Sequence, residues 1–240
     1  MSHLMTATLL SSFKWMEDAP ASWAQRARDD FYAKLLRQDK FEPTPEVQRG
    51  IEFERIICDR CNDLEEADFM EAMRNLYVEK IKADADYEFA SIESKEALLT
   101  RILNVCSTLY SQCKGGKQQV KVSKDIEVGG ESFCLFGYID VLQPTTILDI
   151  KTCTKYKESK YRDSVQHSIY QLCTGIKDFK YVVADYSSTN YPQNCVIVDT
   201  SVNDIEEAER RIKGRISNLV KYLKDNNMWT DYINIFCRGK

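Results

Sequence analysis

The sequence predicts an α/β fold: a mixed central sheet flanked by helices, with a helical portion at the N-terminal end. Three observations point there. Apolar residues recur at helical spacing through residues 1 to about 113. The period then shortens to two between about 118 and 151, with Gly129-Gly130 between the alternating runs. A helical stripe, two short apolar runs and a second long stripe complete the chain.

Each element has its own signal. Pro20 stands where a helix can begin, and Trp23, Ala27, Phe31 and Leu35 follow at near-helical spacing. Thr44-Pro45 is a second start, with Thr as N-cap and Pro at the first helical position; that helix runs through Ile51, Glu54 and Cys58. Further helix is expected from about Glu65 to Lys82 and from Ser94 to Ser111. Val120 and Val122 alternate with Lys121 and Ser123, and a two-residue turn at Gly129-Gly130 leads to a strand from Ser132 to Leu142. Gln143-Pro144-Thr145 turns the chain into a third strand, Ile147 to Lys151, so the three form an antiparallel meander. Val165, Ile169, Leu172 and Ile176 mark an amphipathic helix. Lys180–Asp185 and Cys195–Val198 read as strands, and Asp204–Lys224 as a terminal helix with Ile205, Ala208, Ile212, Ile216 and Leu219 on one face. The whole is expected to be one domain over 1–240, with a mainly helical portion at 1–113 and the α/β core and terminal helix at 114–240.

Composition narrows the function. The 240 residues are 43% apolar and 29% charged, enough for a full core without disulfide or metal staples. A net charge of -4 excludes a coating, histone-like nucleic-acid binder but leaves room for a local basic groove beside an acidic metal site. The nine cysteines show no disulfide spacing, which suits a reducing compartment. No apolar run approaches the roughly 18 residues that span a membrane. The stretch to Leu10 lacks a basic leader and is broken by Thr6 and Thr8. A soluble, cytoplasmic protein is expected.

The chemistry gathers in two strands. Side chains alternate along a strand, so Asp149 and Lys151 project from one face while Ile150 points the other way. Asp140 ends the neighbouring strand. Two carboxylates and an ammonium then converge at one sheet edge. Close carboxylates repel, and a divalent cation removes that cost. Hard oxygen donors without paired His or Cys favour Mg²⁺ or Mn²⁺ over zinc. Glu93-x-Lys95, Glu158-x-Lys160 and Asp178-x-Lys180 share the Asp/Glu-x-Lys spacing but lack the paired acidic strand. The plain alternative is a surface ion pair of little energetic consequence.

Gly137-x-Ile139-Asp140 followed by Asp149-x-Lys151 resembles the core of the PD-(D/E)XK nuclease superfamily, with Ile139 where the name has proline. Two further pieces resemble its RecB-like and phage exonuclease branch: Gln166-x-x-x-Tyr170 after the core, and Gly50-x-x-Phe53-Glu54 upstream. Leu10-Ser11-Ser12-Phe13 is similar to that branch's Ser-rich opening segment. The resemblance implies a restriction-endonuclease-like core. It implies Mg²⁺ or Mn²⁺ held by Glu54, Asp140, Asp149 and the Ile150 carbonyl, with Lys151 catalytic. It also implies that Gln166 and Tyr170 orient the site and contact the nucleic acid. Glu54 stands where many members carry His, and Glu52 competes for its role.

Other features carry readings of their own. Gln166 and Tyr170 stack at i, i+4 on one helix face. A glycine inside a helix costs about 1 kcal/mol, so Gly50 suggests close approach by a metal or DNA backbone above Glu54, or a break between two short helices. Lys155, Lys157, Lys160 and Arg162, interleaved with Tyr156 and Tyr161, would attract phosphates and offer rings for stacking, unless they form a solvated loop. Some RecB-like relatives hold an iron–sulfur cluster with a C-terminal cysteine trio. Only Cys237 lies in the last 40 residues here, so no such cluster is expected. Cys58-x-x-Cys61 reads as a buried helical pair.

The expected function is metal-dependent phosphodiester hydrolysis of DNA by an exonuclease of phage-type or RecB-like recombination and repair, without a covalent intermediate. A phage setting implies a bacterial host cytoplasm and a partner annealing or single-strand-binding protein. The alternatives are a structure-specific endonuclease of this fold, a catalytically silent nucleic-acid or protein-binding module, and a thiol redox protein using Cys58 and Cys61.

Overall fold

A computed structural model describes residues 2–38, 42–88 and 90–237. In chain order the elements are β1 (Ser2–Thr6), α1 (Ala7–Asp18), α2 (Ala24–Leu35), α3 (Pro45–Cys61), α4 (Glu66–Ala83), α5 (Ile92–Cys113), β2 (Lys117–Val128), β3 (Glu131–Leu142), β4 (Thr146–Cys153), α6 (Glu158–Arg162), α7 (Gln166–Thr174), β5 (Asp178–Asp185), β6 (Asn194–Asp199), α8 (Ile205–Asp225) and α9 (Trp229–Phe236). Local chemistry sets the starts. The Thr44 hydroxyl accepts from Val47 N, with Pro45 opening α3. Asp204 Oδ1 accepts from Glu207 N at 2.7 Å to cap α8.

One mixed sheet organises the chain. β2 covers one edge of β3 along its whole length, antiparallel. The other edge of β3 is shared: β1 runs parallel to it at residues 132–136, and β4 antiparallel at Val141 and Leu142 only. β4 pairs in parallel with β5 from Thr146 through Cys153 and leaves β3 beyond Leu148, and β6 closes the sheet antiparallel to β5. The sheet therefore forks between β3 and β4, at the level of Asp140 and Asp149.

Two apolar layers cover the sheet. On one face Leu9, Leu10 and Phe13 of α1, Phe31 and Leu35 of α2, Ile169 and Leu172 of α7, Ile212 and Ile216 of α8 and Tyr232 of α9 pack on Phe133, Leu135, Ile147 and Tyr181. On the other, Phe53 and Ile57 of α3, Met73 and Tyr77 of α4 and Ile102 and Leu109 of α5 pack on Leu148, Ile150 and Val182. This is the mixed sheet flanked by helices that the periodicity predicts. No helix among the described residues is long and apolar enough to cross a membrane.

The N-terminal portion departs from the helical expectation. Ser2–Thr6 is a strand, with His3 and Met5 buried and Ser2, Leu4 and Thr6 half-buried. A five-residue strand has little stability alone. Burial of Leu9, Leu10 and Phe13 in the adjoining helix, each side chain contributing about 1.5–3 kcal/mol, holds it in place. Thr6 ends the strand and caps α1, accepting from Leu9 N at 3.2 Å. Trp23 lies in a short 3₁₀ turn before α2 and is 48% exposed, so it is not part of that helix's buried stripe. At the other end α9 adds a helix beyond the expected terminal one.

His167 locks α7 to the sheet. Arg211 Nη1 lies 2.7 Å from His167 Nε2, and His167 Nδ1 lies 3.2 Å from the Tyr181 hydroxyl. An arginine only donates, so Nε2 accepts and Nδ1 carries the proton. Burial, then the Arg211 charge, push the imidazole down to about 3. A base depressed in the folded state stabilises the fold above its unfolded value near 6.5, and that stability is lost as pH falls toward 3. The expected result is that wild type loses stability below about pH 6.5 more steeply than His167→Gln, as thermal melting across pH will show.

Candidate active site

The fork brings together residues from β2, β3, β4, α3 and α7. Asp140 sits at a kink in β3: Ile139 belongs to one apolar layer and Val141 to the other, so the alternation changes phase at Asp140. Opposite the kink, Gln119 of β2 has a left-handed φ of 48° and drops out of the pairing register. Such backbone is costly for a residue with a side chain and concentrates at functional sites. The kink aims the Asp140 carboxylate across the fork, where Oδ2 accepts from Ile150 N at 2.8 Å. An N–H and a C=O on one strand residue share an edge, so the Ile150 carbonyl faces the fork as well.

Asp149 is fully buried, and Lys151 Nζ lies 2.6 Å from its Oδ2. Gln166 Nε2 donates to Asp149 Oδ1 at 2.7 Å and lies 3.3 Å from the Tyr170 hydroxyl. Gly137 permits this arrangement: a Cβ there would sit 2.5 Å from Tyr170 Cε1. From the opposite layer, Glu54 of α3 reaches the same fork, where Gln119 Nε2 donates to Glu54 Oε1 at 3.0 Å and lies 3.5 Å from Asp140 Oδ1. Glu52, its competitor in sequence, pairs instead with Lys80 of α4 at 3.1 Å.

Three carboxyls thus face one ammonium. Burial first, then Asp140, push Glu54 up to about 7. Burial, partly offset by Lys151 and reinforced by Asp140 and Glu54, puts Asp149 at about 7. Asp140 is also raised by burial, despite Lys151, the Ile150 N–H and Gln119. Burial lowers Lys151, but Asp149 and Asp140 outweigh it and hold the ammonium above its ordinary value. An acidic cluster held in this state is one that a cation would relieve.

A hard divalent cation suits the donors present. Asp149 Oδ2 is buried and makes no hydrogen bond of regular geometry, although Lys151 is near. Glu54, Asp140 and Asp149 offer carboxylate oxygen, with no histidine or thiolate in the fork. Among the described residues, no three such side chains already stand together as a ready-made ligand cluster.

α3 runs unbroken through Gly50, against the expectation of a break there, and the Thr152 hydroxyl of β4 approaches so closely that a Cβ at Gly50 would overlap it. The glycine lets α3 lie against β4 and so delivers Glu54. Lys155, Lys157, Lys160 and Arg162 are all exposed, and Arg162 is also tied to Glu158 at 2.5 Å and to the Asp199 carbonyl at 3.0 Å. Tyr161 is buried and stacks on Tyr156 at 5.9 Å, so its ring does not offer a free face. Burial raises Cys58 to about 12 and Cys61 to about 11, which leaves inert thiols rather than a redox pair. Gln119 is the fork residue that sequence reasoning missed. Its one visible signal is a polar residue inside an alternating run.

No family model matches the chain, and no curated protein matches it. Among solved structures, an alkaline exonuclease (LHK-Exo) from Laribacter hongkongensis is 15% identical, covering 93% of this chain and 92% of its own, with a TM-score of 0.40. SSO0001 is 11% identical, covering 90% of this chain and 76% of that one, with the same TM-score of 0.40. Rai1 from Scheffersomyces stipitis is 9% identical over 63% of this chain and 50% of its own, with a TM-score of 0.27. These are distant likenesses, and the geometry of the fork stands apart from them.

Proposed function

We propose that the chain is a metal-dependent nuclease that hydrolyses phosphodiester bonds in DNA, working from an end. One observation carries this reading: Glu54 of α3 meets Asp140, Asp149 and Lys151 of two adjoining strands at a fork in the sheet. There the carboxyls are raised and the ammonium is held charged. A fold without catalysis has no reason to keep so costly a cluster. Working from an end, in recombination or repair of the phage type, rests on the resemblance of the Gly50–Glu54 and Gln166–Tyr170 segments to the RecB-like and phage exonuclease branch. That setting would bring a single-strand annealing or binding protein as partner.

Glu54, Asp140, Asp149 and the Ile150 carbonyl would hold Mg²⁺ or Mn²⁺. Held there, such a cation would supply a water of lowered pKa and neutralise charge on the scissile phosphate. Lys151 keeps its proton at neutral pH, so it acts as a charge, facing the negative charge that grows on the phosphoryl oxygens. Gln166 fixes the Asp149 carboxylate by donating to Oδ1, and Tyr170 buttresses Gln166. Asp140 joins the two strands through Ile150 N and so sets their separation. Water is the attacking group in this reading, since among the described residues no hydrogen bond joins a serine, threonine or cysteine to a base in the fork.

Digestion of end-labelled linear and circular DNA, both duplex and single-stranded, in Mg²⁺, Mn²⁺ or EDTA tests the proposal. Metal-dependent loss of linear but not circular DNA is expected. Cutting of the circle would replace the exonuclease with an endonuclease. Folded protein inactive on DNA in both metals would overturn the enzyme reading.

A further inference from the structure

The fork opens onto a cavity of about 520 Å³, where Lys151, Gln166 and Tyr170 face Thr8 and Ser11 of α1. A second cavity of about 530 Å³ adjoins it, with Ser11, Lys14 and Trp15 of α1 facing Lys157 and Lys160. Ser11 lines both, so the two form one trough running along the outer face of α1. Thr8, Ser11 and Trp15 fall at i, i+3 and i+7, on one side of the helix. From Thr8 to Trp15 the helix rises about 10 Å, the length of roughly three nucleotides of one strand.

The contents of the second cavity suit nucleic acid. Trp15 is 37% exposed, an indole left uncovered in a concave site. Lys157 and Lys160 stand opposite it, both exposed. Asp18 and Asp163 also line the cavity, and Asp18 is neutralised by its ion pair with Lys14. A positive wall facing an aromatic one is the arrangement that tracks a backbone while stacking its bases. The geometry favours one form of substrate: an indole stacks on a base only when that base is unpaired and turned out of a duplex, so a single strand suits this wall.

We propose that the trough is a single-strand subsite, in which one unpaired nucleic-acid strand runs from the fork along α1 and stacks a base on Trp15. Lys157 and Lys160 meet its phosphates. The inference rests on the nuclease reading and adds to it the substrate form, a strand separated from its complement, and a residue that selects it.

The test measures binding of fluorescein-labelled oligothymidylates of increasing length, in EDTA so that nothing is cut, with hydrolysis in Mg²⁺ followed in parallel. Wild-type affinity is expected to climb between about two and about six nucleotides as the strand reaches Trp15. In Trp15→Ala the climb stops, leaving the longest strand about tenfold weaker, while Trp15→Phe keeps most of it. Indole emission should be quenched by the oligonucleotide in wild type and not in Trp15→Phe. Trp15→Ala binding the longest strand as wild type does would overturn the subsite, as would tighter binding of duplex than of single strand, or no binding at all. If hydrolysis persists while Trp15 proves irrelevant, the subsite falls and the nuclease stands. If Trp15-dependent binding occurs without hydrolysis, the subsite stands and the nuclease reading falls.

Discussion

Lys151→Ala is expected to reduce DNA hydrolysis by about 10³-fold, the usual consequence of removing a group that stabilises charge only in the transition state. The loss should fall on kcat rather than KM, because Lys151 faces the reacting phosphate and not the rest of the strand. Folding should survive. Breaking a fully buried ion pair costs about 3–5 kcal/mol, but here two features soften the loss. Lys151 is 35% exposed, and Asp149, already at about 7, can take up a proton once its partner is gone. Steady-state kinetics beside a thermal melt separates the two effects. A variant that stays folded and keeps wild-type kcat would remove Lys151 from the chemistry.

The second large effect divides Asp140's two roles. Its carboxylate belongs to the fork's acidic set and also accepts from Ile150 N. Asp140→Asn keeps an oxygen acceptor for that N–H but loses the charge. Asp140→Ala loses both and leaves a buried donor unsatisfied, at about 1–3 kcal/mol. Both variants should lose hydrolysis by about 10³-fold or more. Only the alanine variant should melt several degrees lower, about 2–4 °C per kcal/mol for a chain of this size. Equal melting temperatures for the two would mean that the Ile150 bond does not hold the strands together.

The division between what was readable in sequence and what was not has physical causes. Asp149 and Lys151 were legible because a strand alternates strictly and Ile150 between them had to face the other layer. Asp140 was legible from a short turn that made its strand the neighbour. Gln166 and Tyr170 are singled out by the resemblance, and helical spacing explains only why they share a face. The kink was hidden. Val120 and Val122 begin their alternation directly after Gln119, and nothing in a single sequence marks a left-handed φ there. β1 was missed for a different reason. Its register pairs Ser2 with Ser132, so its stability comes from residues far along the chain, and five residues carry little period of their own. A glycine inside α3 signals close approach at position 50, but the approaching group, Thr152, lies on β4, which spacing within α3 cannot reveal.

The trough gives α1 a function of its own. Leu9, Leu10, Ser12 and Phe13 are buried, while Thr8, Ser11 and Trp15 stay exposed along one side. One helix therefore anchors the N-terminal strand through its inner face and offers its outer face to a ligand.

The central claim is that the fork is a divalent-metal centre, and the most direct measurement is a titration of Mn²⁺ followed by electron paramagnetic resonance. Wild type and Asp149→Asn should be compared at a pH above 7, where Glu54 and Asp149 are ionised. The account predicts Mn²⁺ bound to wild type, displaced by Mg²⁺, and absent or greatly weakened in Asp149→Asn. Wild type that binds no Mn²⁺, or Asp149→Asn that binds it equally well, would contradict it.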